Sequence, residues 1–272
     1  MACFSFGTDI ISRGKGSSIT AAVAYISGEK LRDDYTGKTH DRSYRHDVIH
    51  KEILLPQSAP REFLDRQTLL SALDASEKRV DSQMARMIKI ALPNELSREM
   101  HIALTRELIT ESFIDFDMCA DIALHEGLLD ESRKPYSIEA VHERQNNPHA
   151  HIILPFRPVG KDGFHRVKTQ LRYMNDDKYL VMWRERWAEL QNREFERLGL
   201  SVRVSHESYA ARNIDKEPTR HLGAATMAAE LRGIRTLRGE RHREVMSRNK
   251  ERELERDRSS ERIIEREMER SR

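Results

Sequence analysis

The chain has 272 residues, a formal net charge of +2 and only two cysteines, Cys3 and Cys119, which lie far apart. This cysteine usage argues against a disulfide framework and indicates a reducing, cytoplasmic setting. No apolar run approaches the roughly 18 residues of a membrane span, so we expect no stable membrane insertion. The mild basic excess permits a nucleic-acid partner but does not require one.

The N-terminal region predicts a strand, a basic loop and a helix. Residues 1–12 have apolar side chains at alternate positions, as in a half-buried strand. A basic loop follows, and Ser17 or Ser18 can then cap a helix that carries Tyr25. The polar stretch 31–47 predicts a loop or an irregular hairpin.

The middle of the chain has three further strand patterns, at residues 48–56, 83–93 and 119–125. Between them the apolar spacing predicts two amphipathic helices. The first covers residues 59–79, and the second begins after Asn94 or Ser97 and ends near Phe116.

The C-terminal third begins with a strongly amphipathic helix pattern that starts after Asn175 and ends at Gly199. Trp183 and Trp187 lie one turn apart on it, and we expect both rings in the core. From about Gly239 the sequence is mostly Arg and Glu, which predicts a solvated helix or a disordered tail.

The order of these elements predicts an α+β fold with a mainly antiparallel central sheet flanked by helices, followed by the charged helical or disordered tail. Strands and helices alternate irregularly, with hairpin-like contacts, which favours this class over a doubly wound sheet. No glycine-rich phosphate loop follows a strand, which argues against an ATPase or a dinucleotide-binding fold.

The stretch VHERQNNPHAHIILP holds three histidines, His142, His149 and His151. His149 and His151 are two apart in a strand pattern, so their imidazoles would share one face. The Asn-Asn-Pro turn can fold residues 136–142 back as an antiparallel neighbour, which would place His142 opposite the pair. Three neutral imidazoles on one face are typical of a metal site with open positions, although a pair alone is often an ordinary surface or core feature.

Such a site in a basic, cytoplasmic protein favours phosphodiester chemistry, in which the metal neutralises charge on the scissile phosphate. A nucleophile is then needed, and neither cysteine has an obvious activating neighbour. Tyr25 follows the first strand and the basic loop, and a tyrosine would form a covalent phosphotyrosine that conserves the bond energy for resealing. The alternative is that Tyr25 only packs its ring against the sheet.

Five segments of the chain carry a family resemblance: GSSITAAVAYISGEKLRDDYTG, KEILLPQSAPREFLDRQTLLSALDASEKRVDSQMAR, IALPNEL, VHERQNNPHAHIIL and SHESYAARNIDKEPTRHLG. Together they resemble the relaxase domain of the MobA/MobL family of plasmid-mobilisation proteins, within the wider HUH endonucleases. We therefore expect residues 1–225 to form a relaxase domain and residues 226–272 to form a charged helical tail or linker.

The resemblance implies that the protein nicks one strand of single-stranded plasmid transfer-origin DNA and later rejoins it. It implies Tyr25 as the nucleophile that stays on the 5′ end, and His142, His149 and His151 as ligands of Mg or Mn. Three imidazoles also suit Zn, Co or Ni. The expected partners are accessory mobilisation proteins and the coupling protein of a type IV secretion system, through which the covalent DNA complex would enter a recipient cell.

Two features depart from the family pattern. Members often read AREIEIALP where this chain has ARMIKIALP, so Met87 and Lys89 stand in place of two acidic residues. A general base, or a residue that supports the metal, would then be Glu143 or Glu52. An extra stretch also separates DIALH from NPHAH, so His125 is an alternative first metal ligand, although the spacing favours His142.

Basic side chains of the N-terminal region are candidates for DNA contacts, and each can equally be an ordinary solvated charge; they are Arg13, Lys15, Lys38, Arg42 and Arg45. A second function also stays open, namely a catalytically weakened module of the same fold that binds origin DNA without cutting it. Other histidine phosphoesterases fit poorly, because position 153 is Ile where a histidine-triad hydrolase needs a third alternate histidine.

Overall fold

The computed structural model describes residues 4–126, 147–168, 176–220 and 222–270. These residues divide into two units. The first comprises residues 4–126, 147–168 and 176–206, and the second comprises residues 207–220 and 222–270. The division between residues 225 and 226 rests on the sequence motifs and remains a prediction. Among the described residues, no helix is both long enough and apolar enough to cross a bilayer.

An antiparallel sheet forms the centre of the first unit. The strands described are β1 (Phe6–Ser12), β2 (Lys30–Arg32), β3 (Thr39–Asp41), β4 (Val48–Leu54), β5 (Gln83–Ala91), β6 (Ala120–His125), β7 (His149–Pro155), β8 (Val159–Gly160) and β9 (Gly163–Phe164). Five of them form the central sheet in the order β1-β5-β7-β6-β4, and every neighbouring pair is antiparallel. The pairs β2–β3 and β8–β9 form two small separate ribbons. The predicted α+β class with an antiparallel sheet is confirmed.

Helices flank this sheet and form much of the second unit. Those of the first unit are α1 (Ile19–Ser27), α2 (Arg66–Ser76), α3 (Arg98–Ser112) and α4 (Asp177–Arg197), and those of the second unit are α5 (Ala224–Leu231) and α6 (Leu237–Arg270). The charged tail is therefore helical within the described residues. Ion pairs one turn apart along α6, such as Arg243–Glu240 at 3.0 Å, support a helix with so few apolar side chains.

Polar side chains fix where the helices of the first unit begin. The Ser18 hydroxyl accepts a hydrogen bond from the Ala21 backbone N–H at the start of α1, and Ser97 accepts the corresponding bond from Met100 at the start of α3. Both residues were among the predicted caps. Asn175, the predicted cap of α4, lies outside the described residues, and the Asp176 side chain caps that helix.

The helix predicted over residues 59–79 is interrupted. A short 3-10 turn, Arg61–Leu64, precedes α2, which begins only after Asp65. Asp65 has an extended backbone, and its carboxylate accepts hydrogen bonds from both the backbone N–H and the hydroxyl of Thr68 at 2.8 Å. This cap ends the turn and starts a new helix, although the apolar spacing continues across it.

The two faces of the sheet bury different helices. Ile88, Ile122 and Ile152 lie in one cluster with the rings of Trp183 and Trp187 from α4, which are 1% and 0% exposed and confirm the predicted core position. The alternate residues of the same strands, such as Ala85, Ala123 and Ile153, pack with α1 and α2. Because side chains alternate along a strand, the odd-numbered residues of β7 face α1 and α2.

Both edges of β7 are occupied. β5 pairs with it from Ala85↔Pro155 to Ala91↔His149, and β6 pairs with it from Asp121↔Ile153 to His125↔His149. The strand predicted over residues 136–142 lies outside the described residues, and within the described residues the antiparallel neighbour that brings a histidine opposite His149 is β6. This correction changes which histidine stands opposite the His149–His151 pair.

Candidate metal centre and nucleophile

Three histidines meet at one end of the sheet. His125 is the last residue of β6 and pairs directly with His149, the first residue of β7, while His151 lies two positions further along β7. The centroids of the three rings are 4.9–5.1 Å apart. One nitrogen from each ring can be chosen so that all three lie within 4.8 Å of one another, which brings them within reach of a single ion.

Hydrogen bonds to backbone carbonyls fix the tautomers of two of these rings. Nε2 of His125 donates to the carbonyl oxygen of Ile26 at 2.7 Å, and Nδ1 of His149 donates to that of Asn147 at 2.8 Å. The opposite nitrogen of each ring is thereby left without a proton, as a metal ligand must be. Nδ1 of His151 is buried and has no hydrogen-bond partner among the residues that the structure describes.

Burial keeps the three imidazoles neutral. It lowers the pKa of His149 to about 4 and that of His151 to about 2, and it also lowers the pKa of His125. Neighbouring positive groups, Lys89 among them, act in the same direction. Three neutral imidazoles that each offer one nitrogen within 4.8 Å of the others fit a divalent metal ion.

Tyr25 lies on α1, beside this cluster. The next residue, Ile26, is the one whose carbonyl binds His125, so the helix and the imidazole cluster are directly joined. The Tyr25 side chain is 49% exposed and its ring lies under the guanidinium of Arg45, whose carbon is 4.0 Å from the ring centroid. A tyrosine that only packed against the sheet would be buried, so the structure contradicts that alternative.

Arg45 and Asp47 join the helix to the histidine cluster, and sequence reasoning missed this pair. Arg45 donates to the Tyr25 carbonyl oxygen at 3.0 Å and forms a two-pronged ion pair with Asp47. A carboxylate oxygen of Asp47 is 3.7 Å from Nδ1 of His125. The only sequence signal was an Arg-x-Asp spacing immediately before β4, and such spacings are common.

A second network ties the end of α1 to the sheet beneath it. Arg66 of α2 binds both carboxylate oxygens of the buried Asp121 of β6 and also reaches Glu29, which pairs with Lys51 of β4 at 2.7 Å. Burial raises the pKa of Asp121 to about 6, and Arg66 opposes that shift. Lys51 also donates to the Ser27 carbonyl oxygen at the C-terminal end of α1. These contacts fix the helix that carries Tyr25.

None of the other residues predicted as metal ligand, base or metal support is seen at the histidine cluster in the described structure. His142 and Glu143 lie outside the described residues. Glu52 lies on the opposite face of the sheet, where it binds Arg106 of α3 at 2.8 Å and His50 at 2.9 Å. Its position contradicts the suggested role as a base, because the register of β4 turns its side chain away from the histidines.

Of the basic residues proposed for DNA, Arg45 lies at the site. The Arg13 side chain is 6% exposed and pairs with Asp74 at 2.7 Å, so its charge is used in a buried ion pair that stabilises the fold. Lys15 and Lys38 are exposed, and Arg42 is partly exposed. A DNA contact for these residues remains a prediction.

A family model described as the MobA/MobL family matches residues 17–232. The chain belongs to the MobA/MobL family. It is 33% identical over 253 residues to the mobilization protein MobL of Acidithiobacillus ferridurans, covering 85% of this chain and 65% of that protein. It is 29% identical over 269 residues to the conjugal transfer protein TraA of Agrobacterium fabrum, covering 86% of this chain and 23% of that protein.

A solved structure described as the molecular basis of vancomycin resistance transfer in Staphylococcus aureus has the same fold. It is 32% identical, with a TM-score of 0.64, and the match covers 76% of this chain and 100% of that one. The chain therefore spans less than two thirds of the MobL and TraA proteins but the whole of this solved domain.

The structure places Met87 and Lys89, the two departures that the sequence pattern indicated, on the histidine face. On β5, Met87 pairs with Ile153 and Lys89 pairs with His151. Residues paired in this way project to the same side of a sheet. Where the resemblance leads us to expect acidic residues, this chain thus has a thioether and an ammonium beside its imidazoles.

Proposed function

We propose that the chain is a relaxase that nicks single-stranded plasmid transfer-origin DNA and later reseals it. The observation that carries the proposal is the hydrogen bond from His125 to the Ile26 carbonyl, which joins a cluster of three neutral imidazoles to the helix of an exposed tyrosine. The names of the relatives, a mobilization protein and a conjugal transfer protein, support DNA transfer as the process.

In the proposed reaction the Tyr25 oxygen forms a bond to the scissile phosphorus, and the bond from phosphorus to the 3′ oxygen breaks. The tyrosine loses its proton and the leaving 3′ oxygen gains one, which gives a 5′-phosphotyrosine and a free 3′ hydroxyl. The reverse attack reseals the strand. Because the phosphotyrosine keeps the energy of the phosphodiester bond, resealing needs no nucleotide cofactor.

The surrounding residues prepare this attack. The Arg45 guanidinium lies over the Tyr25 ring, holds its backbone carbonyl and adds positive charge near the entering phosphate. We propose His125, His149 and His151 as the ligands of a divalent metal, which would supply positive charge to the non-bridging phosphate oxygens. Mg or Mn follows from the family resemblance, whereas the imidazoles alone also suit Zn, Co or Ni. The Ile26 carbonyl supports the His125 ligand from the far side of its ring, and Asp47 adds negative charge 3.7 Å from Nδ1, the nitrogen that would face the metal.

The same proposal covers the extent of the domain, its protein partners and its location in the cell. We propose residues 1–225 as the nicking domain, accessory mobilisation proteins and a type IV secretion coupling protein as partners, and a cytoplasmic enzyme that enters the recipient cell with its DNA. A second candidate is a module of the same fold that binds origin DNA without cutting it. Met87 and Lys89 favour this second candidate, because they remove two acidic groups from the histidine face.

The decisive experiment is a covalent-adduct assay with strands from the neighbouring DNA, the 272-residue chain and Mn²⁺ or Mg²⁺. We expect a protein–DNA band that survives denaturation and disappears with a chelator or with Tyr25→Phe. Tyr44→Phe is the matched control, because Tyr44 is also an exposed tyrosine and its side chain makes none of the contacts described for the site. Tight DNA binding without an adduct on any strand would refute nicking and favour the non-cutting module.

A further inference from the structure

Lys89 stands beside the metal-binding histidines. It pairs directly with His151 of β7 on one side and with Gly7 of β1 on the other. Directly opposed residues of antiparallel strands project to the same face, with Cβ atoms roughly 4.5–5.5 Å apart. The side chain of Lys89 therefore leaves the sheet next to the imidazole of His151.

The charge of Lys89 is not neutralised by an ion pair. None of the carboxylates in the described part of the chain pairs with it, whereas Arg45 pairs with Asp47 and Lys51 pairs with Glu29 on the same side of the sheet. On the β1 side Gly7 has no side chain, and a Cβ there would meet no atom within 4 Å. Lys89 as a residue is exposed, while partial burial of its ammonium lowers the pKa of that group from its ordinary value, which lies well above neutral pH.

A positive charge in this place acts in opposite directions on two ligands. It repels a divalent cation held by the imidazoles and so weakens metal binding to the protein alone. It attracts a phosphate, which can be bound by the ammonium and by the metal at the same time. A bound phosphate also screens the repulsion between the two cations, so metal and DNA should strengthen each other's binding.

We propose that Lys89 binds the scissile phosphate of the substrate strand directly, so that this chain holds the phosphodiester between an ammonium and the histidine-bound metal. The identity of this ligand rests on the proposed nicking function. The predicted effects on binding do not require cleavage, because they follow from the position and charge of the side chain.

The test measures binding to the 272-residue chain carrying Tyr25→Phe, in which the proposed nucleophile is absent. Mn²⁺ alone is titrated by calorimetry, and a fluorescein-labelled oligothymidine is titrated by anisotropy in the presence of Mn²⁺. Lys89→Met removes the charge and keeps a similar length. Lys161→Met is the control, because Lys161 is an exposed lysine in the turn between β8 and β9.

We expect Lys89→Met to bind Mn²⁺ about tenfold more tightly and oligothymidine about tenfold more weakly, since one close charge is removed from each interaction. Lys161→Met should change neither affinity by more than about twofold. Unchanged affinities in Lys89→Met would overturn the proposal, as would tighter Mn²⁺ binding without weaker DNA binding. These measurements involve no strand cleavage, so a failed adduct assay would refute the nicking function and leave the role of Lys89 to be decided by binding.

Discussion

Acidification should destabilise the first unit through its buried histidines. In the unfolded chain a histidine titrates near 6.5, whereas in the fold burial lowers the pKa of His149 to about 4 and that of His151 to about 2. The unfolded chain therefore binds more protons than the folded chain below neutral pH. The stability that these groups contribute is fully present above pH 6.5 and is lost as the pH falls towards the folded pKa values.

The size of this loss follows from the two pKa values. At pH 5 the imidazole of an unfolded chain is almost fully protonated, whereas the buried His151 is still neutral. This difference lowers the free energy of unfolding by about 2 kcal/mol relative to neutral pH. His149 is more exposed than His151, so its share is about 1–2 kcal/mol after solvent screening. Together the two residues should remove about 3 kcal/mol of unfolding free energy between pH 7.5 and pH 5 in the metal-free protein.

Urea denaturation at the two pH values, with a chelator present, measures this loss. The fluorescence of the buried Trp183 and Trp187 reports unfolding of the first unit. The pH-dependent loss should be about 2 kcal/mol smaller in His151→Gln, which cannot titrate. His46→Gln serves as the control because that side chain is exposed. Parallel pH profiles for the native chain and His151→Gln would refute the reasoning.

Three further changes test the contacts around α1. Arg45→Gln should slow adduct formation about 10- to 100-fold by releasing the Tyr25 ring, and an unchanged single-turnover rate would contradict a positioning role. Asp121→Asn leaves Arg66 buried without its main counter-charge and should lower the free energy of unfolding, measured by urea denaturation, by about 3 kcal/mol. A loss below about 1 kcal/mol would show that solvent screens the pair. Ser18→Ala removes the helix cap and should lower the unfolding free energy by about 1 kcal/mol, and an unchanged denaturation midpoint would mean that the cap contributes nothing.

Local sequence signals predicted much of the fold. The strands were visible because their apolar residues alternate, and Ser18 and Ser97 marked the starts of two helices through their capping hydroxyls. The break before α2 was missed because the apolar spacing runs across Asp65, and one capping carboxylate outweighs that pattern. Short-range chemistry, rather than periodicity, decided this helix boundary.

The candidate site was only partly visible in the sequence. The shared face of His149 and His151 followed from their spacing of two, which any strand enforces. The choice between His125 and His142 depended on which strand borders β7, and strand pairing across long sequence distances leaves no local pattern. Spacing favoured a short hairpin, but the sheet places His125 opposite His149, while His142 lies outside the described residues.

The pairing of β6 with β7 determines which part of this domain can change in sequence without moving the histidines. His125 ends one strand and His149 begins the other, so the register of the sheet sets where both side chains project, and of the described residues between them Asn147 accepts a hydrogen bond from His149. A segment inserted at that point can lengthen or change its composition without moving either imidazole. The connection between the two strands can therefore change in sequence while the register keeps the paired imidazoles side by side.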